Sequence, residues 1–140
     1  MRSSSNIFIS MLAFFYASIC FGQDMNRHKW KNRILVIAAK EGKQLEEQIR
    51  ILSKDTDGLA ERKLIIYKVL PDKFSEGINN QSWTKNKKFY AELKKKKSDL
   101  EVILIGLDGG VKLRQTKTIS TEKLFTLIDG MPMRQREIKN

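Results

Sequence analysis

Cysteine is almost missing from this chain, which has only Cys20. That residue lies in an N-terminal stretch whose removal would leave no disulfide and no thiol nucleophile. Histidine is equally scarce. His28 stands alone in the polar segment "QDMNRHKWKN" (residues 23–32), which is expected to be a loose lead-in. One histidine does not make a metal centre, which usually gathers several His, Cys or carboxylate ligands. A Ser-His-acid triad has no placement around it either. Prolines number two, Pro71 and Pro132, and no Pro/Ser-rich linker or internal repeat divides the sequence. The glycine-rich "GLDGG" (106–110) lacks the GK[ST] ending of a phosphate loop and precedes a strand, so no cofactor is expected. Metal hydrolysis, triad hydrolysis, thiol redox chemistry and nucleotide-cofactor chemistry therefore have no carriers in the mature chain.

What is present begins with a leader. Arg2 is followed by the apolar run "IFISMLAFFYASICF" (7–21) and then by Gly22. Charged start, short apolar middle and small residues before a cut after Gly22 are the three parts of a secretory signal peptide. The run is short for a membrane span of about 20 residues, though retention as an anchor is an alternative. Acylation at Cys20 is another, disfavoured because Ile19 is not small. Cleavage would leave a secreted or periplasmic chain from Gln23 to Asn140, a size that supports one modest core.

The whole chain carries a formal charge of +11. The processed chain keeps 26 Lys and Arg against 16 Asp and Glu, or +10. Such a surplus favours acidic partners. Lysine outnumbers arginine, which points to diffuse charge more than to bidentate recognition.

Arg33–Ala39 ("RILVIAA") is a continuous apolar run that suits a strand buried on both faces. Leu45, Ile49 and Leu52 make one stripe of a helix over 43–54. Asp55–Gly58 reads as a break, and "LIIYKVL" (64–70) as a second strand stopped at Pro71. Residues 73–85 read as irregular. A helix is predicted over 86–97, with Phe89, Tyr90 and Leu93 inward and Lys94 to Lys97 at its negative end. "EVILIGL" (101–107), the Asp108-Gly109-Gly110 turn and "VKLRQTKT" (111–118) form a hairpin. Ser120 caps a last helix that buries Leu124, Phe125 and Ile128. Gly130 is expected in a left-handed cap, with Pro132 preventing continuation. The expected fold is α/β: a four-stranded mixed sheet in the order β-α-β-α-β-β-α, flanked by helices, over residues 33–138. That is the thioredoxin-like order.

The stretches "KWKNRILVIAA" (29–39) and "IGLDGGVKLRQTKTISTEKLFTLIDGMPMRQREI" (105–138) resemble the domain-of-unknown-function family numbered 4174, the P-DUDES domain. The resemblance implies a thioredoxin-like fold with peroxiredoxin-like ancestry, in small secreted proteins. It does not imply redox activity here. The start of the first long helix, "AAKEGKQ" (38–44), has no cysteine, and "KKSDLEV" (96–102) has no proline before the third core strand.

The expected role is a binding or structural module for an acidic macromolecule or small anion at the cell envelope. The alternative is an enzyme of unassigned type using Lys and Arg around the hairpin and the tail. Candidate anion ligands are Lys112 and Arg114, which alternate along the last strand, with Arg134 and Arg136 in the tail. The competing reading has Arg134 satisfying helix-end carbonyls and the others facing solvent. Glu46 and Glu47 are adjacent on a helix and face outward. Met131 and Met133 read as core plugs. Trp83, Phe89 and Tyr90 lie near Lys85, Lys87 and Lys88, the mixture of a single-strand binder. Export and the core role of Phe89 make nucleic acid an unsuitable natural partner.

Overall fold

The structure, a computed structural model, describes residues 23–140. The leader, its cut after Gly22 and Cys20 lie outside the described residues. The elements are α1 (Gln23–Asn26), β1 (Arg33–Ala39), α2 (Gly42–Leu52), a 3-10 turn (Ser53–Asp55) and α3 (Thr56–Glu61). They continue with β2 (Leu64–Leu70), β3 (Lys73–Glu76), β4 (Thr84–Lys85), α4 (Lys87–Leu93), β5 (Leu100–Ile105), β6 (Val111–Gln115), α5 (Thr121–Asp129) and α6 (Pro132–Lys139).

One mixed sheet runs in the order β4-β3-β2-β1-β5-β6. Only β1 and β2 are parallel; every other neighbouring pair is antiparallel. β1 is buried at every position because it is central and covered on both faces. Its alternate residues divide the core in two. Leu35, Ile37 and Ala39 pack with Leu45 and Leu52 of α2, Leu59 of α3 and Leu124 and Ile128 of α5. Ile34, Val36 and Ala38 pack with Tyr67, Phe74 and, from α4, Phe89 and Leu93. This is an α/β architecture with helices on both faces.

Six strands stand where four are expected. Residues 73–85, expected to be irregular, supply β3 and β4. The short connection after Leu70 lets β3 pair back on β2, matching Val69 with Phe74 and Lys68 with Ser75. The helix expected over 86–97 stops at Leu93. Asn86 caps its start, accepting from the Lys88 and Phe89 N–H groups, but the Lys95 and Lys96 N–H groups turn to the carboxylate of Glu101 instead of continuing the helix. Asp55 accepts from the Gly58 N–H, so the expected break at 55–58 opens α3.

The C-terminal tail differs too. Gly130 has φ −80° and is not left-handed. Pro132 does not merely end α5; it occupies the first turn of α6, where its missing N–H costs nothing. The lead-in is also ordered. α1 and the turn after it bring Met25 against the α4 face and bury His28. Trp30 follows in a left-handed conformation, φ +68°, its N–H held by the Leu107 carbonyl at 2.7 Å. Trp30 is 62 % exposed. No helix among the described residues is long and apolar enough to cross a membrane.

Candidate functional site: a basic cleft beside the first long helix

The four cations singled out in the sequence do not share a partner. Lys112 bonds Asp108 at 2.9 Å across the hairpin turn. Arg114 pairs with Ile103 in register, so its side chain is on the α4 face. There it bonds the Leu93 carbonyl at 2.9 Å and the carboxylate of Glu101, which is fully buried. Burial works to raise the Glu101 pKa, but the bonds from Arg114 and from the Lys96 and Lys95 N–H groups outweigh it. The carboxyl is held below its ordinary value.

Arg134 belongs to the opposite face. It is buried at 5 % exposure and anchors α6 by bonding Asp129 at 3.1 Å, Glu61 at 2.9 Å and Glu137 at 3.4 Å. Arg62 grips the same Asp129 through two bonds, 3.0 and 2.8 Å, and its guanidinium stacks on Phe125 at 3.8 Å. Arg33, at the start of β1, reaches Glu137 at 3.3 Å. The Arg62 bonds, aided by Arg134, hold Asp129 below the ordinary carboxylate value. For Glu137, the Arg33 and Arg134 bonds overcome the opposing effect of burial. A hollow of about 580 Å³ beside Arg134 is lined by Lys63 and by Glu61 and Glu137, so two carboxylates balance its two cations toward an arriving anion. Arg136 is exposed on the outer side of α6.

His28 is buried, with Nε2 3.0 Å from the Tyr67 hydroxyl and 2.9 Å from Glu76; Arg27 pairs with the same carboxylate. The cluster ties the N-terminal segment to β2 and β3. No group of three His, Cys, Asp or Glu able to hold a metal occurs among the described residues.

One cation differs from all of these. Lys68 lies in β2 opposite Ile37 of β1 and Ser75 of β3, on the α2 face. It is 8 % exposed, the only lysine among the buried polar residues described. Its Nζ donates to the Asn80 carbonyl at 2.7 Å and stands 5.3 Å from the centre of the Trp83 ring. No carboxylate pairs with it among the described residues. Removal from water alone lowers its pKa from the ordinary lysine value.

Lys68 lines a cleft of about 540 Å³. Gly42, Leu45, Glu46, Ile49 and Arg50 of α2 form one wall. Leu70, Lys73, Ile78 and Trp83 form the other side. The Lys73 ammonium is 4.8 Å from the Trp83 ring centre, so two ammonium groups border one indole. Three cations face a single carboxylate, Glu46. The first turn of α2 adds uncompensated N–H groups, because Glu41 makes no side-chain cap and no acidic residue follows it there. The loop that closes the cleft is pinned by the Gly77 N–H on the Ile66 carbonyl at 2.7 Å, and Gly77 has φ +103°. The site can hold an acidic group against Lys68, Lys73 and Arg50 and an apolar body against Ile49, Ile78 and Trp83.

Sequence reasoning missed this cleft, although "LIIYKVL" carries its signal: a lysine on the same strand face as the buried Leu64 and Ile66. No curated protein and no solved structure matches the chain. A model of the family described as a domain of unknown function, DUF4174, matches residues 24–137, which include every wall of the cleft, and the chain belongs to that family.

Proposed function

We propose that this is an exported, non-redox, thioredoxin-like binding module, and that its acidic ligand is held in the cleft at Lys68. The observation that carries the reading is a buried ammonium without a carboxylate partner, facing a cleft with two further cations. A buried charge left without a counter-charge is costly, and an incoming anion supplies one. The cations of the hairpin and tail are less suited, since Arg114 and Arg134 already have carboxylates.

The thioredoxin-like reading is supported by four consecutive strands of the sheet. Their order is β6-β5-β1-β2, β5 is antiparallel to both its neighbours, and helices cover both faces. In that scaffold, redox proteins keep their thiol at the start of the helix after the first strand. The corresponding stretch here is Lys40-Glu41-Gly42-Lys43, and Gly42 borders the cleft. On this reading the cleft lies beside the position that the thiol would occupy. Export rests on the leader; N-terminal sequencing of material recovered outside the cytoplasm should begin at Gln23, and a retained Met1 would count against processing.

The two tryptophans allow a direct test of binding. Trp30 is solvent-exposed and Trp83 borders the cleft, so Trp30→Phe leaves one reporter. Octanoate is the probe, with octanol as the uncharged control. Octanoate should change Trp83 emission and octanol should not. Lys68→Met should weaken octanoate binding roughly tenfold or more, the size of a charge-assisted bond. Lys73→Met should weaken it less and make it less sensitive to salt. Equal responses to acid and alcohol, or an unaffected Lys68→Met, would remove the basis for an anion site.

A further inference from the structure

Lysine is a counter-ion when protonated and a nucleophile when not, and the surroundings of Lys68 bear on which it is. Lys68 is 8 % exposed, and apolar side chains of α2 and the 77–83 loop surround the cleft it lines. Lys73 and Arg50 border the same cleft and can hold an acidic group there. The Trp83 ring returns part of the charge stabilisation, less than a carboxylate would. The one hydrogen bond made by Nζ goes to a backbone carbonyl, an acceptor that a neutral amine satisfies as well as an ammonium does. A neutral amine so held keeps its lone pair for the cleft. Burial also lowers the Lys68 pKa, which raises the neutral fraction at any given pH.

We infer that Lys68 captures its ligand covalently, as an imine with the carbonyl carbon of a small oxo acid whose carboxylate rests against Lys73 and Arg50. This deepens the binding function proposed above and rests on the same cleft. The amine lone pair attacks the carbonyl carbon, forming a C–N bond while the carbonyl oxygen takes a proton, to give a carbinolamine. That hydroxyl leaves as water, the nitrogen loses its remaining proton, and a C=N bond results. One amine and one carbonyl yield one imine and one water, with no change of oxidation state. Glu46 is the carboxylate on the cleft wall, and a carboxylate is a residue type that relays such protons. The step is reversible by hydrolysis, so the outcome is retention of the ligand, with release when its free concentration falls.

The cations, the apolar walls and the amine divide the ligand into three parts. An acidic group meets Lys73 and Arg50, a carbonyl meets Lys68, and a short apolar or aromatic body meets Ile49, Ile78 and Trp83. Simple fatty acids would bind without reacting. Simple aldehydes would lack the charge that orients them.

Pyruvate is the probe for the test, followed by borohydride reduction and peptide mapping by mass spectrometry. The reduced adduct should be on Lys68, in at least about tenfold excess over the mean exposed lysine, because the cleft holds the carbonyl beside that one amine. The excess should narrow as pH rises toward the ordinary lysine value, where the exposed amines also become neutral. In the Trp30→Phe background, Lys68→Arg should keep octanoate binding, read from Trp83, and lose the adduct. Adducts spread over the exposed lysines would overturn covalent capture. Octanoate binding with no adduct at Lys68 would overturn it while leaving the anion site standing. Failure of both pyruvate and octanoate to perturb Trp83 would overturn the site itself.

Discussion

Replacing Arg134 by methionine should lower stability by about 3 kcal/mol, the order expected for breaking a buried ion pair from one side. For a domain of this size the melting temperature should drop by roughly 10 °C. The reason is the number of groups that one guanidinium satisfies. Arg134 holds Asp129 of α5, Glu61 of α3 and Glu137 of its own helix, so its loss affects three elements together. Some of the loss is buffered. Asp129 keeps both Arg62 bonds, and Glu137 keeps Arg33 with Lys63 at 3.8 Å. Arg136→Met, two residues away and exposed, should change stability by no more than about 0.5 kcal/mol. Urea unfolding of the two variants measures the contrast. If Arg134→Met folds with unchanged stability and instead loses octanoate or phosphate binding, Arg134 is a ligand group and the lattice is misread.

That contrast shows what the sequence could and could not reveal about the tail. "MRQRE" places two arginines two residues apart, and both the anion reading and the helix-end reading are available to them. Only the turn at Met131 and the start of α6 at Pro132 decide that Arg134 turns inward. Its carboxylate partners come from residues 61, 129 and 137, a set that no local pattern gathers. The convergence of Lys112 and Arg114 with the tail fails for a simpler reason. Arg114 shares a sheet face with Ile103, whereas Arg33, the β1 residue tied to the Arg134 lattice, is on the face of Leu35.

The central strands were legible because burial on both faces leaves continuous apolar runs, as in 33–39 and 64–70. α2 and α5 were legible from their stripes and from the Ser120 cap, which does accept from the Lys123 N–H at 3.1 Å. β3 and β4 were not, since "KFSE" and "TK" have too few apolar residues to announce a strand. β2, already fixed in the sheet, recruits β3, and β3 in turn pairs with β4. The missed cleft has the same origin, because β3 and the loop after it carry Lys73, Ile78 and Trp83 to the side of α2. The family was legible from "IGLDGGVK" and the tail. Those segments form the far hairpin and the last two helices, and none of their residues lines the cleft.

Arg114→Met should be as damaging as Arg134→Met at neutral pH, about 3 kcal/mol, and its cost should shrink in acid. Glu101 explains both halves of that expectation. In the intact protein its carboxyl is held below its ordinary value of 4.5, so it binds protons less readily folded than unfolded. Its contribution is fully present above that ordinary value and is lost as pH falls through the lower folded value. Without Arg114, burial dominates what remains, and the folded pKa should rise above the unfolded one. The sign then reverses: the group's best contribution lies below the unfolded value and is lost as pH increases. Lowering the pH therefore weakens the intact protein at this site while relieving the variant, and the two stability curves converge. Glu101→Gln separates charge from hydrogen bonding. Its amide oxygen can still accept from the Lys95 and Lys96 N–H groups, while Arg114, partly exposed, turns to water. That variant should lose less than Arg114→Met at neutral pH and show a flatter response to acid. Urea unfolding of all three proteins at about pH 7 and about pH 4, values that bracket carboxylate ionisation, provides the comparison. A cost for Arg114→Met that is the same at both values would mean that the Glu101 carboxyl is not the charge Arg114 answers.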